Sequence, residues 1–556
     1  MNEYNVRKKT VSYINKNLDD VIERYCDIYK DNIGFLLYYP MIYLEEKFKD
    51  ASPRVTNAII DREITNWFVS EVLKRRIRKN LIFTFKKEEF EYYKNEIYPQ
   101  LKNLYSDFRL AREINDDVSI EKCKVEKIDG NKYNIITSLI LKPFEGGNAY
   151  FYGLHDLEER QNENELSNMP VQYILNNYGN KRTAKEAVRS INRLMIDIDD
   201  NLYKICMDRV NLDTSKMGES LKSQIINKKE TLNQFLGFLF YISALKLVAF
   251  DIETKFTREL NYNNLINIID IEWLKNKIKK ITKMNEKLIE KYINYFIFEG
   301  EGTIVDFPLI KYRDNLIILP SSIMLNDWQF SISNGHHAKK IEFKKKEKNI
   351  SKSIVDMIDT ACKKFTNVLV AREYYYEVIS DGKKLNSDID VAICDINSNN
   401  ILVIECKWKH NHYIEDIDEN YAKIQGSLNK IYNEQISKHK EFLTENINNI
   451  NKLFNHKIEL VDGTDYNIYY LAVDKRSDLH IENQHMIAVY TLLALFNIYS
   501  ESDTLDLEKL IKKIDEAKTK VEHYMIGAPK EFCIDKNENL YINSDELYGE
   551  FDKYFK

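Results

Sequence analysis

Three residues carry the pattern that could do chemistry in this 556-residue chain: Asp390, a gap of fourteen residues, then Glu405 and Lys407 around Cys406. They lie in two apolar segments, SDIDVAICD and ILVIECKWK. Side chains of a strand alternate between its faces. Asp390 therefore shares a face with Asp388, Ala392 and Cys394, and Glu405 and Lys407 share one with Ile401 and Val403. Segments this apolar read as central and buried, where charged groups are costly unless they pair or bind a metal. Breaking the rule on two neighbouring strands marks a site. The chemistry that fits is divalent-metal hydrolysis of phosphodiesters. Mg²⁺, with Mn²⁺ as its substitute, takes one or two protein carboxylates and fills its shell with water and phosphate. Asp390 and Glu405 supply the carboxylates, and the backbone carbonyl of Cys406 adds a third oxygen. The metal would polarise the phosphate and acidify a bound water. Lys407 would orient that water or steady the charge on the phosphorane.

The elements that must position these groups follow from Ile350 onward. ISKSIVDMIDTACKKF is an amphipathic helix, and NVLVAREYYYEVIS is a strand rich in Val and Tyr. The turn DGKKLN leads to SDIDVAICD, and NSNN leads to ILVIECKWK. A long helix is expected over roughly Glu419 to Glu445, then a strand in NIYYLAVDK, then HMIAVYTLLALFNIY as a strand running into a helix. The order is α-β-β-β-α-β, a mixed α/β domain over 339–500.

Asp390, the gap and Glu405-Cys406-Lys407 resemble the PD-(D/E)xK nuclease signature, and the two strand segments are similar to those of its restriction-endonuclease-like members. The resemblance covers about Lys339 to Tyr499, less than a third of the chain. It implies a restriction-endonuclease-like αβββαβ core and metal-dependent cleavage of nucleic acid, usually DNA, with Asp390, Glu405 and Lys407 as motif residues. No proline precedes the aspartate. An acidic residue from the first core helix would be Glu342 or Glu347, and Glu373 or Glu377 on the first strand could also reach the metal. A glutamine on the following helix would be Gln425 or Gln435, of which Gln435, in NEQISKHKEF, is the more similar. E-x-K alone is common, so the competing reading is an ordinary sheet with a buried ion pair. The fold could also serve as a nucleic-acid-binding or scaffolding module without catalysis, or act on RNA.

The rest of the chain bounds the answer. Lys and Arg number 81 against 87 Asp and Glu, a net charge of -6, so any nucleic-acid surface is local rather than global. Hydrophobic residues at 44% exclude wholesale disorder. Only 16 Gly and 8 Pro favour long helices. The seven cysteines form no CxxC pair, which argues against a zinc site or disulfide framework and for a reducing cytoplasm. The N-terminus lacks a signal-peptide pattern. FLGFLFYISALKLVAF, Phe235 to Phe250, reads as a buried helix and not a membrane span.

Residues 1–115 read as helical. Residues 116–338 read as mixed and mainly helical, with a hairpin in VEKIDGNKYNIITSLILKPF and two short strands around Arg313-Asp314-Asn315. NKRTAKEAVRSINRLMIDIDDNLYKICM reads as one amphipathic stretch capped by Thr183, with Asp197, Asp199 and Asp200 on a solvated face. Residues 501–556 read as a helical tail, with LDLEKLIKKIDEAKTKVEHYM as one helix. The basic run Lys339–Asn349 is a solvated segment or a phosphate contact. His410-Asn411-His412 reads as a turn after a strand, and His336-His337 lacks the further ligands zinc would need. There is no Walker A sequence. The Lys/Ile/Asn-rich composition points to an AT-rich bacterial genome. By analogy alone, a nuclease fold joined to an unassigned region looks like a restriction or anti-phage effector, with a second copy or a defence-system protein as partner.

Overall fold

The computed structural model describes residues 3–50, 56–75, 85–115, 124–129, 132–140, 169–215, 221–257, 265–300, 302–324, 326, 328–342, 346–380, 383–407, 425–446, 448–455, 466–474, 479–517, 519–525, 530–535 and 538–551. It is a mixed α/β protein in which helix predominates, and its largest sheet lies in the C-terminal half.

Four long helices open the chain: α1 (Glu3–Ile28), α2 (Gly34–Asp50), α3 (Thr56–Lys74) and α4 (Tyr98–Asn115). In α1 the buried residues Ile14, Leu18, Ile22 and Tyr25 recur at three-four spacing, which lays one stripe on the core. Helix α2 is apolar all round and buried from Phe35 to Leu44, as a central helix must be. The core of these helices also takes in Phe298, Ile304, Phe307 and Ile310. Polar ties cross the same boundary: Asn66 Oδ1 accepts the Ile304 N–H at 3.0 Å, and Glu45 accepts the Ser321 N–H at 2.9 Å. The hairpin of β1 (Lys124–Asp129) and β2 (Lys132–Ile140) forms where expected.

The central region contains α5 (Ala184–Arg193) and α6 (Asp200–Ser215). Thr183 caps α5 by accepting the Glu186 N–H. The helix expected to continue through MIDIDD breaks between them. Asp199 accepts the N–H groups of Asn201 and Leu202 and the hydroxyls of Tyr173 and Tyr178, so it caps α6 and is not one of a solvated acidic row. Helix α7 (Lys229–Thr257) contains Phe235–Phe250. It is the one helix among the described residues long and apolar enough to cross a membrane, and its apolar window is 83% buried inside the protein. Strand β3 (Asn267–Asp270), helices α8 (Ile271–Thr282) and α9 (Glu286–Phe296), and the hairpin β4 (Leu309–Tyr312) and β5 (Asn315–Ile318) follow, with sheet order β3-β5-β4. Helix α10 (Trp328–Ala338) carries His336, a core histidine whose Nε2 meets Ser223 Oγ at 2.8 Å and whose Nδ1 meets the Tyr295 hydroxyl at 2.6 Å.

The C-terminal half begins with α11 (Lys346–Cys362), then β6 (Val368–Ser380), β7 (Lys383–Asp395) and β8 (Asn400–Lys407). Helix α12 spans 425–445, and a short helix α13 (Asn448–Leu453) precedes β9 (Asn467–Asp474). The α-β-β-β-α-β order thus stands, with α13 added. A hairpin strand not anticipated, β10 (Leu479–Ile481), leads to β11 (Gln484–Ala488) and α14 (Val489–Ile498). The six-stranded sheet has order β10-β11-β9-β8-β7-β6, with β8 parallel to β9 and antiparallel to β7. Val391, Ile393, Leu402, Ile404 and Cys406 bury one face against α11, α14 and α15 (Leu507–Asp515). Ala392, Cys394, Ile401 and Val403 bury the other against α12 and α13.

The segment 501–556 is not a helical tail. A two-residue hairpin of β12 (Ser500–Glu501) and β13 (Thr504–Leu505) leads into α15, and three strands come after it: β14 (Thr519–Met525), β15 (Lys530–Asp535) and β16 (Glu538–Phe551). Strand β16 pairs antiparallel with β14 and β15, and parallel with β2 over Leu540–Leu547. The amphipathic spacing of LEKLIKKID ends with α15, and antiparallel pairing with β16 takes Thr519–Met525 beyond it.

Candidate active site

The site sits where β7 and β8 part. Their ladder pairs Asp395 with Asn400 and ends at Val391 opposite Ile404. The next residues on each strand are Asp390 and Glu405. Past this point β8 keeps its parallel ladder to β9 through Lys407, while β7 continues with β6 alone. An amide freed by diverging strands needs another acceptor. Asp390 provides it: its Oδ2 accepts the Cys406 N–H at 2.8 Å. The fork thus brings the Asp390 carboxylate onto the backbone of the Glu-Cys-Lys segment.

Glu405 is 4% exposed and both its oxygens are engaged. Oε1 meets Lys407 Nζ at 2.7 Å, and Oε2 meets His439 Nε2 at 3.0 Å. His439 is wholly buried on α12, and its Nδ1 meets the Tyr376 hydroxyl of β6 at 2.5 Å. The Lys407 side chain keeps 28% of its surface, so the site opens at the lysine end. Cys406 turns its thiol to the opposite, apolar face, where burial raises its pKa well above the usual range; only its backbone is available to the site.

The electrostatics follow from two buried carboxylates beside one lysine. Burial, and then the neighbouring charge of Glu405, push Asp390 up to about 7, and the Cys406 N–H and Lys407 offset only part of this. For Glu405, burial acts upward, but the His439 hydrogen bond and Lys407 outweigh it and hold the carboxyl below its usual value. Burial works against the Lys407 ammonium, and Glu405 and Asp390 more than restore it, so its pKa is raised. Two oxygen-donor side chains therefore lie beside one partly exposed lysine, with an excess of negative charge. This suits a hard dication that keeps water and phosphate in its shell, the usual habit of Mg²⁺. Among the described residues no three His, Cys, Asp or Glu side chains form a closed metal cage.

The structure brings Asp390, Glu405 and Lys407 together. It does not bring Gln435 into their hydrogen bonding; Gln435 is half-buried one helical turn before His439, and His439 is the α12 residue that touches Glu405. Gln425 stands at the start of the described part of α12, far along it from His439. Glu342 is exposed and precedes α11, while Glu347 lies in its first turn, with a side chain outside the described residues. Glu377 is exposed. Glu373 takes φ +48 on β6, at the level of Asp390. His410 and His412 lie outside the described residues.

Sequence reasoning missed His439 and Tyr376. A signal existed for the first: His439 falls three residues after Ile436 and three before Phe442, on the apolar stripe of its helix, where an unpartnered imidazole would be costly. Comparison of the chain with protein-family models, with curated proteins and with solved structures finds no match.

Proposed function

We propose that the 339–500 portion of the chain is a metal-dependent endonuclease of the restriction-endonuclease-like type that hydrolyses phosphodiester bonds of DNA, within a bacterial restriction or anti-phage protein. The observation that carries this reading is the fork of β7 and β8, with Asp390 on the Cys406 amide and Lys407 on Glu405 at 2.7 Å. Asp390, Glu405 and the Cys406 carbonyl would hold Mg²⁺. Bound there, such an ion supplies Lewis acidity to the phosphate and a more acidic water.

The chain's own groups do the rest. Lys407, at the open end, carries a positive charge that can leave Glu405 for a phosphate oxygen, where it steadies the charge that grows as water adds to phosphorus. One P–O ester bond then breaks, leaving a phosphomonoester and a hydroxyl. The Asp390–Cys406 contact ties the two strands together just past the end of their ladder and so holds the Asp390 carboxylate in place beside the Glu-Cys-Lys segment.

The test is a cleavage panel on plasmid, linear duplex, single-stranded DNA and RNA, with Mg²⁺, Mn²⁺ or EDTA. Metal-dependent cutting of DNA that is lost in both Asp390→Ala and Lys407→Ala is the expected result. Cutting confined to RNA would reassign the substrate. Wild type and both variants behaving alike on every substrate would leave a binding or scaffolding module.

A further inference from the structure

We infer that His439 and Tyr376 are positioning residues for Glu405, forming a buried relay from β6 through α12 to β8 that fixes the direction in which the carboxylate presents its oxygens. The inference rests on the proposed function, since its purpose is to present Glu405 to a hard dication.

The roles of each atom follow from donor chemistry. A carboxylate only accepts, so His439 Nε2 carries the proton and donates to Oε2 at 3.0 Å. Its Nδ1 lies 2.5 Å from the Tyr376 hydroxyl, within hydrogen-bond distance. Tyr376 is itself held, 6% exposed and stacked on Phe442 with ring centroids 4.1 Å apart. Phe442 lies one turn beyond His439 on α12, so helix and strand lock both ends of the relay. Ser387, on the neighbouring strand β7, also hydrogen-bonds the Tyr376 side chain and helps to hold its hydroxyl in place.

The need for such a relay is visible at the other oxygen. Oε1 is held by Lys407, a residue with 28% of its side chain exposed and the one expected to turn toward phosphate. A carboxylate held by Lys407 alone would lose its orientation whenever that lysine engaged substrate. The His439 bond keeps Oε2 tethered through that change. Partners of this kind, one step removed from a metal, are commonly worth about 10–100-fold in metal affinity or activity.

The experiment uses the full chain and its His439→Ala, His439→Gln and Tyr376→Phe variants, with Asp390→Ala as the control that removes a ligand. Mn²⁺ affinity is measured by calorimetry without nucleic acid, and the Mg²⁺ concentration for half-maximal cleavage is measured separately. Thermal melting in EDTA identifies the variants that remain folded. His439→Ala is expected to weaken Mn²⁺ binding by about 10–100-fold and to raise the half-maximal Mg²⁺ by a similar factor. Its rate at saturating Mg²⁺ should return to within about threefold of wild type, because the motif residues are intact. His439→Gln, whose amide can still donate to Oε2, should recover most of the loss, and Tyr376→Phe should show a smaller shift in the same direction. Folded His439→Gln and Tyr376→Phe proteins both binding Mn²⁺ as wild type does, with no shift for any folded His439→Ala, would overturn the inference and leave a purely structural histidine. Wild type that neither cuts nucleic acid nor binds Mn²⁺ in a way Asp390→Ala abolishes would instead sink the nuclease reading, and the relay's purpose with it.

Discussion

Asp390→Asn should stabilise the metal-free protein while abolishing cleavage. Asparagine keeps an oxygen to accept the Cys406 N–H and removes one of two buried negative charges. The cost of that charge can be worked out. Asp390 moves from an ordinary 3.8 to about 7, roughly three units, or on the order of 4 kcal/mol at 1.36 kcal/mol per unit. Because the folded value lies above the unfolded one, the favourable contribution is complete below pH 4 and is lost as pH rises through 7. The gain from Asp390→Asn should therefore be about 4 kcal/mol at pH 8 and about 2 kcal/mol at pH 5. A chain of this length need not unfold in one step. The assay is hydrogen exchange across a urea series in EDTA, read on peptides covering β7 and β8. Added Mg²⁺ should then stabilise the wild type and leave the variant unmoved, since only a folded site that binds the ion gains from it. Equal protection of variant and wild type at pH 8 in EDTA would refute the electrostatic argument. An equal Mg²⁺ effect on both would refute the assignment of Asp390 as a ligand.

Three further outcomes are expected. Lys407→Met keeps the packing of the aliphatic stem but removes the ammonium from Glu405, and should lower the initial rate of plasmid cleavage at saturating Mg²⁺ by about 100-fold or more. His336 is buried with both ring nitrogens engaged, and burial depresses its pKa from 6.5 to about 4, so its contribution is full above pH 6.5 and is lost as pH falls toward 4. Acidification from pH 7.5 to 5 should cost the central helical region about 2 kcal/mol, and exchange on peptides of α10 should show the loss. Gly300 has φ +95, and a Cβ there would lie 2.2 Å from Ser70 Oγ, so Gly300→Ala should destabilise the contact with α3 by about 2 kcal/mol or more. A second change, Ser70→Ala, should restore only the steric part, as a melting series would show.

Much of the C-terminal sheet was legible because its strands have apolar stretches that alternate or stay buried, separated by turn residues such as Asp-Gly and Asn-Ser, although Lys383–Asn386, read as turn, pair with β6 and lengthen β7. The faces of Asp390, Glu405 and Lys407 followed from strand periodicity alone. Other elements depend on partners that local sequence does not reveal. TKVEHYM continues the apolar spacing of α15 with no glycine or proline to interrupt it, and only its pairing with β16 makes it a strand. The break at 194–199 is likewise free of glycine and proline; it exists because Asp199 finds two amides and two tyrosine hydroxyls. His439 was hidden for a related reason. Its contact with Glu405 spans 34 positions and is made by helix packing, so spacing could not separate it from Gln435 on the same helix.

The parallel contact of β2 with β16 also gives the protein a timetable. Roughly four hundred residues separate the two strands, which at a synthesis rate of about 5–20 residues per second is a delay of roughly 20–80 s. During that interval the early hairpin is nascent and half-made, with a raw edge open to other chains and to chaperones. The seam closes only after the ribosome has delivered everything between, so an interrupted product leaves that edge unzipped and open to degradation.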